Sequence, residues 1–404
     1  MLGSIYTGLS GLLTYSSGLD VISNNVANLN TSGFKGNDLL YRDLYYQFQW
    51  VATQGPQLAN EQIGSGVGDQ GTVIRFQQGD LQETGIDTDA AIDGNGFFII
   101  RTNSGEEYTR AGQFIFDNDG KLVTADTDEP VAGLNANGGL TDITLDGLRT
   151  IAPTPTSEVS FVDNLSTGSA NHVINNLALI DTVGEAHPVT IRFTNNGTTT
   201  PRSWLIDVED ENGDTIVAGA EIRFQANGSP EVDFNTITFT YTPEDGEPFD
   251  VTFFFGEPGS FTNATSFSGG PTSTLVVEDQ DGSESGALTS VGYTRDGSLN
   301  LEYSNGESQT GPRLALAWFD DPQSLRQIQG ARFLSQDGQD IRIGGATDSV
   351  FGAIVEQTVE ASNIELTQEF TDLIIVQRGY QASSQVITVS NEMLQQLFDI
   401  GSSR

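Results

Sequence analysis

Apolar residues recur every seven positions at both ends of the chain. Near the N-terminus, Ile5, Leu12, Leu19 and Val26 form one row, and Leu2 and Leu9 begin a companion row that continues as Ser16 and Ser23. At the C-terminus Val359, Leu366, Leu373, Tyr380, Ile387 and Leu394 hold the interval in succession, and Phe370, Val376, Leu397 and Phe398 partly fill the companion row. A seven-residue repeat averages 3.5 residues per turn, which keeps one seam of a helix turned toward a partner. The spacing predicts two terminal helices that pair as a coiled coil. The second, from Val359 to Phe398, would run roughly 60 Å at 1.5 Å per residue. The polar companions Ser16, Ser23, Gln377, Ser384 and Asn391 weaken an isolated pair and point to contacts with further neighbours.

Between the ends the period shortens to two. The stretch 96–123, "GFFIIRTNSGEEYTRAGQFIFDNDGKLV", reads as strands joined by Asn-Ser-Gly and Asp-Gly turns. Residues 150–285 repeat the pattern in "HPVTIRF", "SWLIDVEDENGDTIV", "NTITFTYT" and "DVTFFF", which suggests a β-sandwich or barrel-like domain. "APTPTSEVS" (152–160) and "GPTSTLV" (270–276) bracket that block as connectors. "EYTRAGQFIF" (107–116) and "GYTRDGSLNLEY" (292–303) echo one another as strand, turn and returning strand. Their positions on either side of the block suggest one β domain built from two separated pieces. The expected fold is mixed and mainly β: two β-rich domains in an elongated chain, plus the paired terminal helices. Residues 1–70 with 355–404 would form the helical assembly region and its connector. Residues 71–149 with 286–354 would form an inner β domain, and 150–285 an outer one.

A chain of 404 residues is long enough for two or three such domains. With no Cys, disulfides, thiolate catalysis and Cys-ligated metals are excluded, and two His leave little for other catalytic or metal constellations. The formal net charge of −38 sets the chain against nucleic acid and anionic lipid. That charge sits in the middle: residues 71–354 hold 43 acids and 13 bases. The quieter ends are therefore the parts expected to meet other molecules. No run of about 18 apolar residues marks a transmembrane helix. "MLGSIYTGLSGLL" lacks the basic region and cleavage site of a secretory signal, so any export is expected to use another route.

The acidic clusters "DNDG" (117–120), "EDENGD" (209–214) and "EDQDG" (278–282) invite a calcium reading. An EF-hand loop needs an oxygen ligand five residues before its glycine, and those positions are Ile115, Val208 and Val277. Hairpin turns are expected instead. Glu185 and His187 stand two apart in "GEAHPV", with no Ser or second acid at a recognisable spacing to complete a triad, so His187 reads as the start of a strand. "GNGFF" (94–98) lacks the phosphate-loop Lys and reads as a turn. No catalytic residue, cofactor or metal ligand is assigned. Trp50, Trp204 and Trp318 are too scattered to suggest the aromatic platform of a secreted carbohydrate-binding protein, the remote alternative.

One stretch is odd for a helix end. "ISNNVANLNTSGFKG" (22–36) packs Asn24, Asn25, Asn28 and Asn30 into seven positions, and Asn is a mediocre helix former. "SGLDVISNNVANLNTSGFKGND" (17–38) resembles the N-terminal signature of the bacterial flagellar axial proteins, the rod, hook and hook-associated family. "VEASNIELTQEFTDLIIVQRGYQASSQVITVSNEMLQQL" (359–397) resembles its C-terminal counterpart. "DAAIDGNGFFIIR" with "YTRAGQFIFDNDGKLV" looks like the family's inner β domain, and "GYTRDGSLNLEYSNG" with "LALAWFDDPQSLRQIQGARF" like its hook branch. The large insertion favours that branch over a distal rod subunit, the nearer alternative. The near absence of Lys (only Lys35 and Lys121) is no requirement of the family.

The resemblance implies a non-enzymatic structural subunit of the extracellular flagellum that polymerises into a curved tube and transmits torque. It implies self-association, contact with rod, hook-cap and hook–filament junction proteins, and type III export without a cleaved signal. No nucleic-acid partner or membrane insertion is implied. Assembly residues would be Ile5, Leu9, Leu12, Leu19 and Val26, with Asn24, Asn25 and Asn28 closing the helix. On the other helix they would be Val359, Leu366, Phe370, Leu373, Tyr380, Ile387, Leu394 and Leu397. Gly33, Phe34 and Lys35 would form the connector.

Overall fold

The computed structural model describes residues 2–51, 59–135, 137–244, 246–336 and 338–402. Two helices frame a chain of short strands: α1, Leu2–Ala27, and α2, Leu366–Ser402. The chain divides into two compact units. One comprises Met1–Asp146, Val291–Asn300 and Thr310–Arg404; the other comprises Gly147–Ser290 and Leu301–Gln309. The expected terminal helical region and inner β domain thus share the first unit.

In the first unit, distant parts of the sequence pair antiparallel. Leu81–Glu83 lies on Thr358–Glu360, and Ala90–Asp93 on Ala353–Glu356. Phe97–Thr102 lies between Gly105–Thr109 and Leu316–Phe319, at the centre of a six-stranded sheet completed by Arg332–Leu334, Arg326–Ile328 and Ile341–Gly344. Alternation places Phe97, Ile99, Tyr108, Ala317, Phe319 and Phe333 in one buried cluster. Edge-to-face rings knit it together, with Tyr108 and Phe319 centred 4.8 Å apart. Asn37–Asp43 leaves α1 as a strand paired with Val67–Ile74, bulged between Leu40 and Tyr41.

The second unit stacks two sheets. One is an antiparallel meander of Asn171–Ile180, Ala186–Asn195, Ser203–Glu209 and Thr215–Arg223. In the other, Glu158–Asn164 pairs parallel with Phe249–Phe254 and Ala264–Thr265, and antiparallel with Val276–Gln280. Inward positions such as Phe161, Phe193, Trp204, Val208, Val251 and Phe253 form its core. Of the sandwich and barrel-like forms that the sequence left open, this is the sandwich, with parallel pairing that local turn signals do not announce.

Three local expectations change. Val359, read as the first member of the helical seam, lies in the strand Thr358–Glu360, where Thr358 and Val359 favour an extended backbone; α2 begins only at Leu366. The strand Phe114–Phe116 pairs with Leu122–Thr124 and does not return on Gly105–Thr109, because the intervening Arg110 turns into a buried ion cluster. "EDQDG" is not a hairpin tip. Asp281 caps the start of another strand, accepting from the backbone N–H groups of Ser157 and Glu158 at 2.8 and 2.9 Å. Asp117 and Asp210 do sit in hairpin turns, each binding two later N–H groups.

Candidate assembly interface

The two helices pair antiparallel. Ser4 Oγ and Ser390 Oγ are 3.2 Å apart at one end, and the Asn25 amide reaches Glu369 Oε2 at 3.2 Å at the other. Between them α1 offers Gly8, Gly11, Tyr15, Gly18 and Ile22, at alternating intervals of three and four. A methyl group at Gly8 would come within 2.9 Å of Ile387 Cγ1, at Gly11 within 2.6 Å of Ser383 Oγ, and at Gly18 within 3.2 Å of Val376 Cγ1. From the other side, Gly379 makes room for the Tyr15 ring. The intrachain seam therefore runs along small residues, which let the two backbones approach closely.

The residues named from periodicity fall around this seam. Ile5, Leu12, Leu19 and Val26 are half-buried beside it, and Leu9 is exposed. On α2, Leu373, Tyr380, Ile387 and Leu394 are half-buried on the side facing α1, whereas Leu366, Phe370 and Leu397 are exposed. Asn24 is exposed, and its carbonyl accepts from the Asn28 side chain at 2.9 Å. Asn25 is buried and reciprocally bonded to the backbone of Asn37, at 2.8 and 3.0 Å, which folds the connector back against α1. Its partner Glu369 also takes an ion pair from Arg75.

The connector ends in a buried charge cluster. Gly33 adopts φ +69°, and a Cβ there would lie 2.3 Å from the Ala111 nitrogen, so both the conformation and the space require glycine. Its N–H donates to the Glu360 carbonyl at 2.7 Å. Phe34 is buried, and Lys35 is 1% exposed. Lys35 Nζ donates to Glu360 Oε1 at 2.5 Å and to the Gln77 carbonyl at 2.7 Å. Arg110 donates to Glu360 Oε2 at 3.1 Å, and the Gly79 N–H to Oε1 at 2.9 Å. Burial pulls the Lys35 ammonium below its ordinary range despite the adjacent carboxylate, and burial acts on Arg110 in the same direction. Two cations and one anion out of water make a cluster that tolerates little rearrangement.

Elsewhere the chemistry is quieter. His187, the second residue of its strand, bonds Asp181 Oδ2 at 3.1 Å, an acid the sequence reading did not connect to it. The ligand atoms of Asp181, Glu185 and His187 lie within 4.8 Å of one another. Both Asp181 oxygens are engaged, Oδ1 by the N–H groups of Val183 and Glu185 at 2.9 and 2.8 Å. Trp204 is buried in the core of the second unit and Trp318 is half-buried in the first; the Trp50 side chain lies outside the described residues.

Three family descriptions match parts of the chain: "Flagella basal body rod protein" at residues 5–35, "Flagellar hook protein FlgE/F/G D1 domain" at 91–150, and "Flagellar basal body rod FlgEFG protein C-terminal" at 355–400. The flagellar hook protein FlgE of Borreliella burgdorferi is 29% identical over 98% of this chain and 99% of its own. That of Escherichia coli is 28% identical over 97% and 98%. The chain belongs to the flagellar hook protein family. A crystal structure of the Helicobacter pylori flagellar hook protein FlgE2 has a TM-score of 0.48 at 14% identity, covering 69% of this chain and 100% of that one.

This hook protein is thus a structural subunit of the flagellum. Its relatives align along nearly the whole chain, insertion included, which disfavours both the rod and the carbohydrate-binding alternatives. Sequence reasoning missed Arg75, Arg110, Glu360 and Glu369, the charged residues that tie the helices and connector to the strands. Only one signal was available for them: a lone Lys beside an apolar Phe34 in a chain with almost no other lysine. The small-residue seam was visible as Gly8, Gly11 and Gly18, but apolar periodicity draws attention away from glycine.

Proposed function

We propose that copies of the hook subunit polymerise through their terminal helices into a hollow, curved, flexible tube that carries motor torque to the filament. The supporting observation is the apolar surface that the chain leaves uncovered on both helices. Tyr6 and Leu13 on α1 are exposed, as are Phe370, Ile374, Ile375, Val386, Val389 and Met393 on α2. Only six of the 63 helical residues carry a charge, which is the composition of an interior rather than of a solvated surface. Beyond Ser390, α2 continues for about three turns while only Leu2 and Gly3 of α1 lie past Ser4, and Phe398 in that overhang is 78% exposed. Contacts between unlike surfaces of identical copies do not close on themselves and generate helical filaments. The acidic β surfaces would supply weaker polar contacts able to shift as the tube turns while bent. In this reading the tube ends meet rod, cap and junction proteins, and the subunit leaves the cell by type III export.

The test is assembly of the full-length chain carrying Ile374→Glu or Phe398→Glu, followed by sedimentation and negative-stain microscopy. Loss of tubes with retained secondary structure is expected. Tubes of unchanged yield would overturn the assignment, and straight rather than curved wild-type tubes would favour a rod role.

A further inference from the structure

The cleft where α1, α2 and the strand Asn37–Asp43 converge has about 450 Å³ of space. Its rim is anionic and aromatic. Asp38, Glu369 and Asp372 all border it, as do Tyr15 and Tyr41, whose ring centres are 6.0 Å apart and tilted by 46°. Gly18 permits this arrangement, since a Cβ there would lie 2.7 Å from the Tyr41 hydroxyl oxygen.

Charge in the cleft is unbalanced. Arg75 pairs with Glu369 and lies 3.5 Å from Asp38. Asp372 is half-buried and has no hydrogen bond or ion pair among the described residues. Its electrostatic neighbours are Asp38 and the Tyr41 hydroxyl, both of which resist a second negative charge. The Asp38 carboxyl is pushed above its ordinary range, by burial first and then by Glu369 and Asp372 against the opposing pull of Arg75. A half-buried carboxylate that faces other acids and has no ion-pair partner is a favourable place for a cation.

The terminal helices hold one cation among the described residues. Arg378 stands on the outer side of α2, exposed, with no hydrogen bond, ion pair or ring contact among those residues. Its neighbour one turn earlier, Ile374, is 57% exposed and lies outside the cleft, so the face that carries Arg378 is one in need of cover. A planar guanidinium suits a site that offers carboxylates together with aromatic faces. We propose that the cleft is a receptor for Arg378 of a second copy, which places Asp372 and Arg378 on opposite sides of one subunit contact. Receptor and inserted group occupy different surfaces of each copy, so each contact leaves one of each free and the chain of contacts stays open-ended.

The inference rests on the helix-mediated assembly proposed above, and the experiment separates the two. Full-length wild type, Arg378→Glu, Asp372→Arg and the double charge reversal are compared by critical concentration for polymerisation, with circular dichroism as the check on folding. Each single reversal is expected to raise the critical concentration at least about ten-fold, equivalent to about 1.4 kcal/mol per contact. The double reversal should return it to within about three-fold of wild type. Single variants that polymerise like wild type, or a folded double variant no better than the singles, would overturn the pairing while leaving helix-mediated assembly intact. A wild-type chain that remains monomeric overturns both.

Discussion

Substituting Glu360 by Gln removes one negative charge from between two buried cations. The carboxylate is 0% exposed and receives Lys35 and the Gly79 N–H on one oxygen and Arg110 on the other. A glutamine amide keeps one acceptor and turns a donor toward whichever cation it faces. Neither Lys35 nor Arg110 gains access to water in exchange, because both remain enclosed. Removing one partner of a buried ion pair typically costs about 3–5 kcal/mol, most of it the penalty on the charge left behind. For a unit of this size, 1 kcal/mol corresponds to roughly 2–4 °C in melting temperature. The first unit should therefore melt roughly 6–20 °C lower, read by calorimetry of the soluble full-length chain. Asp142→Asn is the control. It breaks the exposed pairs with Arg101 and Lys121, and such pairs are worth about 0–1 kcal/mol. Equal shifts for the two variants, or a Glu360→Gln shift below about 2 °C, would show that the cluster is not the electrostatic clamp described above.

Gly8→Leu forces a side chain against Ile387 and the Ser383 carbonyl; overpacking of this kind costs about 1–3 kcal/mol and should raise amide exchange along both helices. Trp204→Ala empties the largest buried side chain of the second unit and should destabilise it by about 3–5 kcal/mol in a urea titration followed by circular dichroism. Asp181 and Asp281 are desolvated, which alone would raise their pKa values. The N–H and side-chain donors around each carboxylate outweigh this and hold both below the ordinary value. Folded pKa values below unfolded ones give stability that is complete above about pH 5 and is lost as pH falls through the folded values. Stability of Asp181→Asn and Asp281→Asn measured from pH 6 to pH 2 should fall less steeply than wild type; parallel curves would refute the assignment.

Both helices and the β middle were legible because each imposes a period on the side chains, 3.5 at the ends and two between. Which side of each helix faces its intrachain partner was not. Rows such as Ile5, Leu12, Leu19 and Val26 satisfy the same spacing as Gly8, Gly11, Tyr15, Gly18 and Ile22, and a helix serving its own chain and other copies carries more than one stripe. Gly8 and Gly11 read in isolation as helix-weakening residues, and only the facing Ser383 and Ile387 give them a role. The cluster of Lys35, Arg110 and Glu360 was illegible for a different reason. Its members lie on three segments far apart in sequence, and nothing local to Glu360 distinguishes it from the many acids that remain in solvent. The parallel strand Glu158–Asn164 escaped for the same reason, since a pairing made through a long crossover leaves no turn residue to mark it.

The helix pair is held unevenly along its length. At the end near the strands, Asn25, Glu369 and Arg75 join α1, α2 and the β region, and the Asn363 amide donates to the carbonyls of Arg75 and Gln77 at 2.6 and 3.0 Å. Seven residues further on, Gly18 faces the methyl groups of Val376, and at the far end Ser4 Oγ and Ser390 Oγ are 3.2 Å apart. Polar clamps of fixed geometry resist sliding, whereas a seam of glycines and serines presents shallow barriers to it. Register is therefore set beside the strands, and the opposite end, where α2 overhangs with Leu397, Phe398 and Ile400 exposed, adjusts to whatever packs against it. A subunit anchored at one end and adjustable at the other suits a polymer whose copies meet slightly different neighbours on the inner and outer sides of a bend.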